Sequence, residues 1–304
     1  MRLQEQIQEI LSQNAARIGV AIRHIESGAE VMIGADEPVP LASVVKVPAL
    51  VEAFRQIGAG QICLDDRWSL TSKVKTVGSG VLYLLDDGLA LSVRDILLLM
   101  ITISDNTATD MLLNRLGVAS IDACMRNIGL PGISVKHTIR QIFDDMLPTG
   151  DPNQDLTELE RWETEHGVKR GGFSYSTGPE NNVGTPRDLA RLMEMIFRAE
   201  LLDQEACRAM LDIMHKQQIT GRFPRYLPAG TRVANKTGSF SGVRNDVGIL
   251  YVNDQSHVAF ALLSTWDADA VRGNPQEFHR AVGALDDTFG KIGLAVYHAF
   301  GGPS

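Results

Sequence analysis

Ser43-Val44-Val45-Lys46-Val47-Pro48-Ala49-Leu50-Val51-Glu52-Ala53-Phe54 is an apolar run interrupted by one lysine and one glutamate, and it ends near Gly58. It reads as a buried helix. Pro48 has no N–H to donate, so it is tolerated only near a helix start, where the first donors lack partners anyway. Ser43 therefore sits at or just before the first turn, and Lys46, three residues on, shares its face. A lysine in so apolar a stretch has its charged form disfavoured, which lowers its pKa toward that of a useful base. The alternative is a stem lying in the core with its ammonium reaching out to water.

Upstream, Pro38 and Pro40 break the chain ahead of Ser43. Before them, residues 18–25 read as a strand, 26–29 as a turn and 30–33 as the partner strand, a hairpin signal. Residues 1–11 form an amphipathic helix rich in glutamate and glutamine. Downstream, the pattern is helical from about 43 to 205. Ser92-Val93-Arg94-Asp95 is a capping pattern leading into the apolar run 96–101. Ser104-Asp105-Asn106 follows on a turn before a helix starting near Thr107, and Thr185-Pro186-Arg187-Asp188 opens another over 189–199. The tail returns to strands at 233–239, 246–252 and 257–264, closed by a long helix over about 275–300. Residues 143–184, rich in Pro, Gly, Asp, Asn and Thr, form one irregular region, and so long a segment is usually functional or mobile.

Strands at both ends with a helical middle predict an antiparallel sheet flanked by the N- and C-terminal helices, an α/β unit made of residues 1–42 and 206–304. Residues 43–205 are expected to form an inserted all-α domain, with a cleft between the two. At 304 residues and 44% hydrophobic, the chain can bury a sizeable core. A net charge of −8 argues against nucleic acid or an anionic membrane as general partners. No apolar stretch is long enough to span a bilayer. The beginning of the sequence is not a charged-then-apolar secretion signal. As written, the protein is expected to be cytoplasmic, or periplasmic or secreted if a leader has been removed. Cys63, Cys124 and Cys207 are odd in number and far apart, and read as reduced structural thiols. The seven histidines show no paired i, i+4 arrangement, so neither a metal nor a cofactor is implied. Neither a phosphate-cradling G-x-x-x-x-G-K-[ST] nor a G-x-G-x-x-G occurs.

Three strings carry the chemistry: Ser43-Val-Val-Lys46, Ser104-Asp105-Asn106 and Lys236-Thr237-Gly238. They supply a nucleophilic hydroxyl, a nearby amine, a second hydroxyl and a second ammonium, the equipment for attacking a carbonyl and holding an acyl-enzyme. Ser-x-x-Lys by itself is weak, and Ser72-Lys73-Val74-Lys75 fits it too, in what reads as a polar loop. All three strings in this order should arise by chance in about one chain per thousand or fewer.

The trio is the signature of class A β-lactamases and penicillin-binding proteins, and the organisation resembles that of the class A β-lactamase and D,D-peptidase superfamily over nearly the whole length. Gly78-Ser-Gly-Val-Leu82, Ser104-Asp-Asn-Thr-Ala-Thr-Asp110 and Gly184-Thr-Pro-Arg-Asp188 also match family habits. The resemblance implies that the three strings meet in one cleft, with Ser43 the nucleophile and Lys46, within bonding reach, its proton acceptor or at least a tuner of the local electrostatics. Ser104 would relay a proton to the leaving nitrogen, Asn106 would bind the substrate's amide, and Asp105 would be structural. Lys236 and Thr237 would favour a substrate carboxylate, and Gly238 would keep an edge strand bare for the substrate to pair against. The N–H groups of Ser43 and Ser239 would form the oxyanion hole. Arg244, Arg222 and Arg225 are further candidates for the carboxylate, each otherwise an ordinary surface arginine.

The pattern departs from the family at one place. Class A enzymes carry a water-activating glutamate in Glu-x-x-Leu-Asn, and that string is missing. The nearest match is Glu160-Arg161-Trp162-Glu163-Thr164-Glu165-His166, whose Arg-Trp-Glu would make Glu163 the base, although Glu160, Glu163 and Glu165 also alternate with basic residues as on a solvated helix. His166 is a second candidate. The expected activity is serine hydrolysis through an acyl-enzyme on Ser43, of β-lactamase type, on a small-molecule β-lactam, peptide or ester. The alternatives are a peptidase- or esterase-like hydrolase without efficient β-lactam turnover, or a penicillin-binding sensor that stays acylated. The oligomeric state is not encoded in any pattern of this sequence.

Overall fold

In a computed structural model of the chain, which describes residues 2–147, 161 and 166–302, the elements run as follows. Helix α1 (Leu3–Ser12) precedes β1 (Arg17–His24), β2 (Glu30–Ile33) and β3 (Val39–Pro40); a 3-10 turn, Ala42–Val45, leads into α2 (Lys46–Gly58). Then come β4 (Arg67–Ser69), β5 (Ala90–Ser92), α3 (Val93–Thr102), α4 (Asn106–Leu116), α5 (Val118–Asn127) and α6 (Ile139–Met146). After β6 (Val183–Gly184) follow α7 (Pro186–Phe197), α8 (Gln204–Met214), β7 (Arg232–Phe240), β8 (Val243–Asn253), β9 (Ser256–Thr265) and α9 (Pro275–Ala299).

The two ends of the sequence meet in one five-stranded antiparallel sheet of order β2-β1-β9-β8-β7. Period-two alternation sorts its side chains. Ile18, Val20, Ile22, Val258, Phe260 and Leu262 point to one face, where they pack with Ile7 of α1 and Phe289, Ile292 and Val296 of α9. The other face carries small residues, Ala21, Ala259 and Ala261, against the helical layer. There α7 comes so close that a Cβ on Gly19 would lie 2.8 Å from Pro186 Cγ.

Helix α2 lies at the centre of the helical layer. Residues 46–54 are all buried, as expected for a helix apolar around its whole circumference. Its one buried carboxylate, Glu52, is held by Arg55 at 2.6 and 2.8 Å and by Gln56 at 2.7 Å. Ser92 caps α3 in a reciprocal box with Asp95, Asp105 caps α4, and Thr185 caps α7 with Pro186 at its first turn.

The expectation of an all-helical middle needs two corrections. Two short ribbons interrupt it, β4 with β5 and β3 with β6; the first ends at Ser92 and so sets the entry of α3. The helical layer also continues past residue 205, because Cys207, Met210, Leu211 and Met214 of α8 pack into the same core as α2 and α3. Among the described residues no helix is long and apolar enough to cross a membrane.

Candidate active site

Ser43 lies in the 3-10 turn immediately ahead of α2, so Lys46 is the first residue of that helix. Ala42, just before the nucleophile candidate, has a φ of 48°, a left-handed conformation that costs a non-glycine residue about 1–3 kcal/mol and persists only where its surroundings impose it. Asn245 of β8 supplies the restraint: its Nδ2 donates to Pro40 O at 2.9 Å and Leu41 O at 3.1 Å.

Ser104 is the second strained residue, with a φ of 59°. That conformation turns both its carbonyl and its hydroxyl toward Lys46. The lysine is 0% exposed, and its Nζ lies 2.6 Å from Ser104 O, 2.9 Å from Ser104 Oγ and 3.0 Å from Asn106 Oδ1. Burial pulls the amine down to about 7, against the opposing pull of the Asp105 and Asp110 carboxylates. The lysine thus does not reach out to water. The expected link between Ser43 and Lys46 is not made: among the described residues no hydrogen bond joins them, because all three directions around Nζ are taken by the Ser104-Asn106 turn.

Asp105 is the strut of that turn. Its Oδ1 accepts from Ala108 N at 2.9 Å, and its Oδ2 accepts from Val81 N at 2.7 Å and Leu82 N at 2.9 Å. The loop around Gly78-Ser-Gly80 folds over it, and a Cβ on Gly80 would overlap the carboxylate. Asn106 is more committed than the resemblance implied. Its Oδ1 faces Lys46 and its Nδ2 donates to Val77 O at 2.9 Å, leaving one amide proton for a ligand.

Strand β7 brings the third string. Lys236 is fully buried with Nζ donating to Thr237 O at 2.7 Å. Burial first, then the positive charges of Lys46 and Arg222, hold it well below its usual range, with Asp246 opposing. Gly238 corrects the expectation that its bare face receives substrate. A Cβ there would lie 2.6 Å from Leu41 O, 3.0 Å from Val44 N and 3.1 Å from Ser43 N, so that face is filled by the nucleophile turn. Thr237 is buried and pairs in register with Asp246, while Ser239 is exposed.

The three arginines separate. Arg225 lies on the surface, donating to Tyr226 Oη at 3.2 Å. Arg244 is bound bidentate by Asp286, at 2.6 Å on both oxygens, and so is engaged elsewhere. Arg222, 3% exposed, donates to Gly238 O at 2.9 Å, Asn245 O at 2.5 Å and Ser239 Oγ. Burial and the nearby Arg244 pull it down to about 10, with Asp246 and Asp286 opposing. Asp246 escaped the sequence reading. It is buried opposite Thr237, accepts from Asn235 Nδ2 at 2.8 Å and Phe223 N at 3.2 Å, and is pushed up to about 6 by burial. A lone aspartate at the head of the apolar run 246–252 was the available signal.

Ser43, Ser79, Asn106 and Ser239 line the polar side of one pocket, and Ile139, Ile142, Phe143 and Met146 of α6, with Phe240, line its apolar side. Asp110 anchors that wall by accepting from Ile139 N at 2.7 Å and Arg140 N at 2.8 Å. Glu160, Glu163 and Glu165 fall outside the described residues. Arg161 and His166 are described and exposed. No aspartate or glutamate lines the pocket among the described residues, and no His/Cys/Asp/Glu group among them could hold a metal ion.

Comparison with known proteins agrees with this geometry. The chain is 28% identical over 276 residues to a beta-lactamase of Streptomyces lavendulae, covering 89% of this chain and 81% of that protein. The structure of a beta-lactamase from Sphaerobacter thermophilus superposes with a TM-score of 0.76 at 26% identity, covering 98% of this chain and 96% of that one. The L158E mutant of PBP-A, solved as an acyl-enzyme complex with penicillin G, superposes with a TM-score of 0.75 at 25% identity over 98% and 95% of the two chains. The profile of the beta-lactamase enzyme family matches residues 2–300; with nearly the whole length accounted for, the chain belongs to that family and is a serine hydrolase.

Proposed function

We propose that the protein opens β-lactam amides through an acyl-enzyme on Ser43, with Lys46 as proton acceptor. The observation that carries this reading is a buried amine, lowered to about 7 and held on the Ser104-Asn106 turn one helical turn from a pocket-lining serine. A neutral amine has two protons and a lone pair. Ser104 O and Asn106 Oδ1 can only accept, so the lone pair faces the Ser104 hydroxyl. On acylation Ser43 Oγ bonds to the lactam carbonyl carbon and its proton reaches Lys46 through the Ser104 hydroxyl, which takes it up as it gives its own proton to the lysine lone pair, over a contact between the two serines that tightens only when substrate is bound. The C–N bond then breaks, and the nitrogen takes a proton from Ser104, which Lys46 replaces across 2.9 Å. Water finally hydrolyses the ester. The Ser43 and Ser239 N–H groups serve the developing oxyanion.

Arg222, a buried cation, supplies the field for a substrate carboxylate, with the Lys236 amine beside it and Ser239 Oγ at the rim. Arg222→Gln is expected to raise KM for a carboxylate-bearing β-lactam about tenfold with a smaller change in kcat. Arg244→Gln should leave KM within about twofold, because its guanidinium belongs to Asp286. Equal KM changes in the two variants would remove Arg222 from the binding site.

The apolar wall of α6 favours slow hydrolysis of the ester. A chromogenic cephalosporin followed by both colour and intact mass tests the whole sequence of steps. A burst of one equivalent with mass added at Ser43, followed by turnover, is expected. Ser43→Ala should abolish both signals; if colour persists, the nucleophile is misassigned.

A further inference from the structure

We propose that the protein has a second ligand site, for small anions carrying several acceptor oxygens, at the opposite end of β7 from the catalytic pocket. Ser239 and Phe240 line the pocket at one end of the strand. A separate groove runs between the end of α8 and the start of β7, lined by Asp212, His215, Lys216, Gln217, Thr231 and Arg232 among others. From Arg232 to Ser239 the strand spans about 23 Å, so one ligand of modest size does not occupy both.

The decisive residue is Gln217. Its side chain is 6% exposed, and its Oε1 accepts from Ile219 N at 3.0 Å. Its Nε2 is buried and has no hydrogen-bond partner. Two amide protons held in a groove wall without an acceptor are costly, since buried donors are almost always paired. Gln217 is a wall residue of the groove, and an acceptor seated there removes that cost once the closed-off amide turns toward it.

The charges around the amide point the same way. Lys216 and Arg232 form no ion pair with any carboxylate among the described residues, although most arginines here do. Asp212 stands one turn before Lys216 in sequence, yet the two are not paired, and its carboxylate at the groove leaves a net positive balance. Arg232 lies over the Tyr251 ring at 4.9 Å and donates from Nη2 to His215 Nε2 at 3.2 Å. Burial and Arg232 both hold His215 below its usual value, keeping the ring neutral so that it can accept that bond. The guanidinium is thus pre-positioned on a stacked platform with its other N–H groups unclaimed by carboxylate. A cation just past α8 has a second rationale in the helix C-terminal dipole. That rationale explains Lys216; it does not explain an arginine from β7 or a buried amide with idle donors. A point charge, a fork of donors and a neutral amide converging on one groove suit a phosphate or a polycarboxylate, and this shared chemistry defines the ligand class.

The test uses the full chain at constant ionic strength set with chloride. Inorganic phosphate and citrate are titrated separately, by calorimetry and by following the Gln217 side-chain amide in 15N–1H spectra. Saturable binding of at least one, with that amide shifting along the same isotherm, is expected. Phosphate without citrate assigns the tetrahedral oxyanion; the reverse assigns the polycarboxylate. Lys216→Gln and Arg232→Gln should each weaken binding about fivefold or more. Gln217→Glu, which keeps the acceptor for Ile219 N while replacing the donors by a carboxylate, should abolish it. Lys291→Gln, on an exposed ion pair with Asp287, should change nothing, and all variants should acylate at Ser43 like the parent, which shows that they are folded. Binding of neither anion, equal binding by every variant, or binding without a shift of the Gln217 amide would overturn the proposal.

Discussion

Lys46→Met is expected to slow acylation of Ser43 by about 10²–10⁴-fold, and the parent rate is expected to climb with pH up to about 7 and then level off. The methionine fills most of the volume of a fully buried lysine, so a loss of rate reports the amine rather than a cavity. The sign follows from which form works: only the neutral amine accepts a proton. At its ordinary value of 10.5 about 1 in 3,000 lysines is neutral at pH 7; lowered to about 7, half are. Below that point the rate should fall about tenfold per pH unit. Stability is linked in the same window. Between about 7 and 10.5 the unfolded chain holds a proton that the folded one has released, so the Lys46 contribution to stability rises with pH there. Losing the amine also removes a repulsive neighbour of Lys236, whose own pKa should move back up in the variant. Stopped-flow acylation between about pH 5.5 and 8.5 checks the profile. A flat profile in the parent, or an unimpaired Lys46→Met, would show that another group takes the proton.

Much of this arrangement was legible in the sequence because apolar periodicity and capping chemistry are local. Pro48 and the apolar run placed Ser43 at a helix start, and the start lies at Lys46. Ser92 and Thr185 each cap the helix their pattern announced, and Asp105, read only as structural, proves to cap the helix expected near Thr107. What stayed hidden depends on contacts between distant segments. Nothing local to Arg222 distinguishes it from Arg225, three residues on; it is buried because β7 and β8 present Gly238 O and Asn245 O to it. The positive φ of Ser104, which turns the residue toward Lys46, is imposed by Asp105 reaching Val81 and Leu82. The apolar wall of α6 was unreadable for a different reason. Ile139, Ile142 and Met146 have helical spacing, but the pattern does not reveal that their face also borders the catalytic serine.

Gly238→Ala is expected to destabilise the protein by about 1–3 kcal/mol and to slow acylation about 10²-fold. The added methyl meets Leu41 O, Val44 N and Ser43 N, all main-chain atoms, so no side-chain rotation can relieve it. Nor can the turn simply retreat. Leu41 O already accepts from Val44 N at 3.0 Å and Asn245 Nδ2 at 3.1 Å, and Ala42 is held at a φ of 48°. Relief must come from parting β7 and the turn by several tenths of an ångström, and the N–H groups of Ser43 and Ser239 sit on the two sides of that seam. An oxyanion donor is worth about 3 kcal/mol of barrier only at its proper distance, so a shift that small still registers in rate. Gly283→Ala provides the contrast. It lies inside α9 with nothing within 4 Å of an added Cβ, and should stabilise by about 0.5–1 kcal/mol without touching the rate. Urea midpoints and acylation rates of the two variants, measured together, decide the point. If Gly238→Ala acylates like the parent, the strand does not set the geometry of the nucleophile turn, and the glycine is there for another reason.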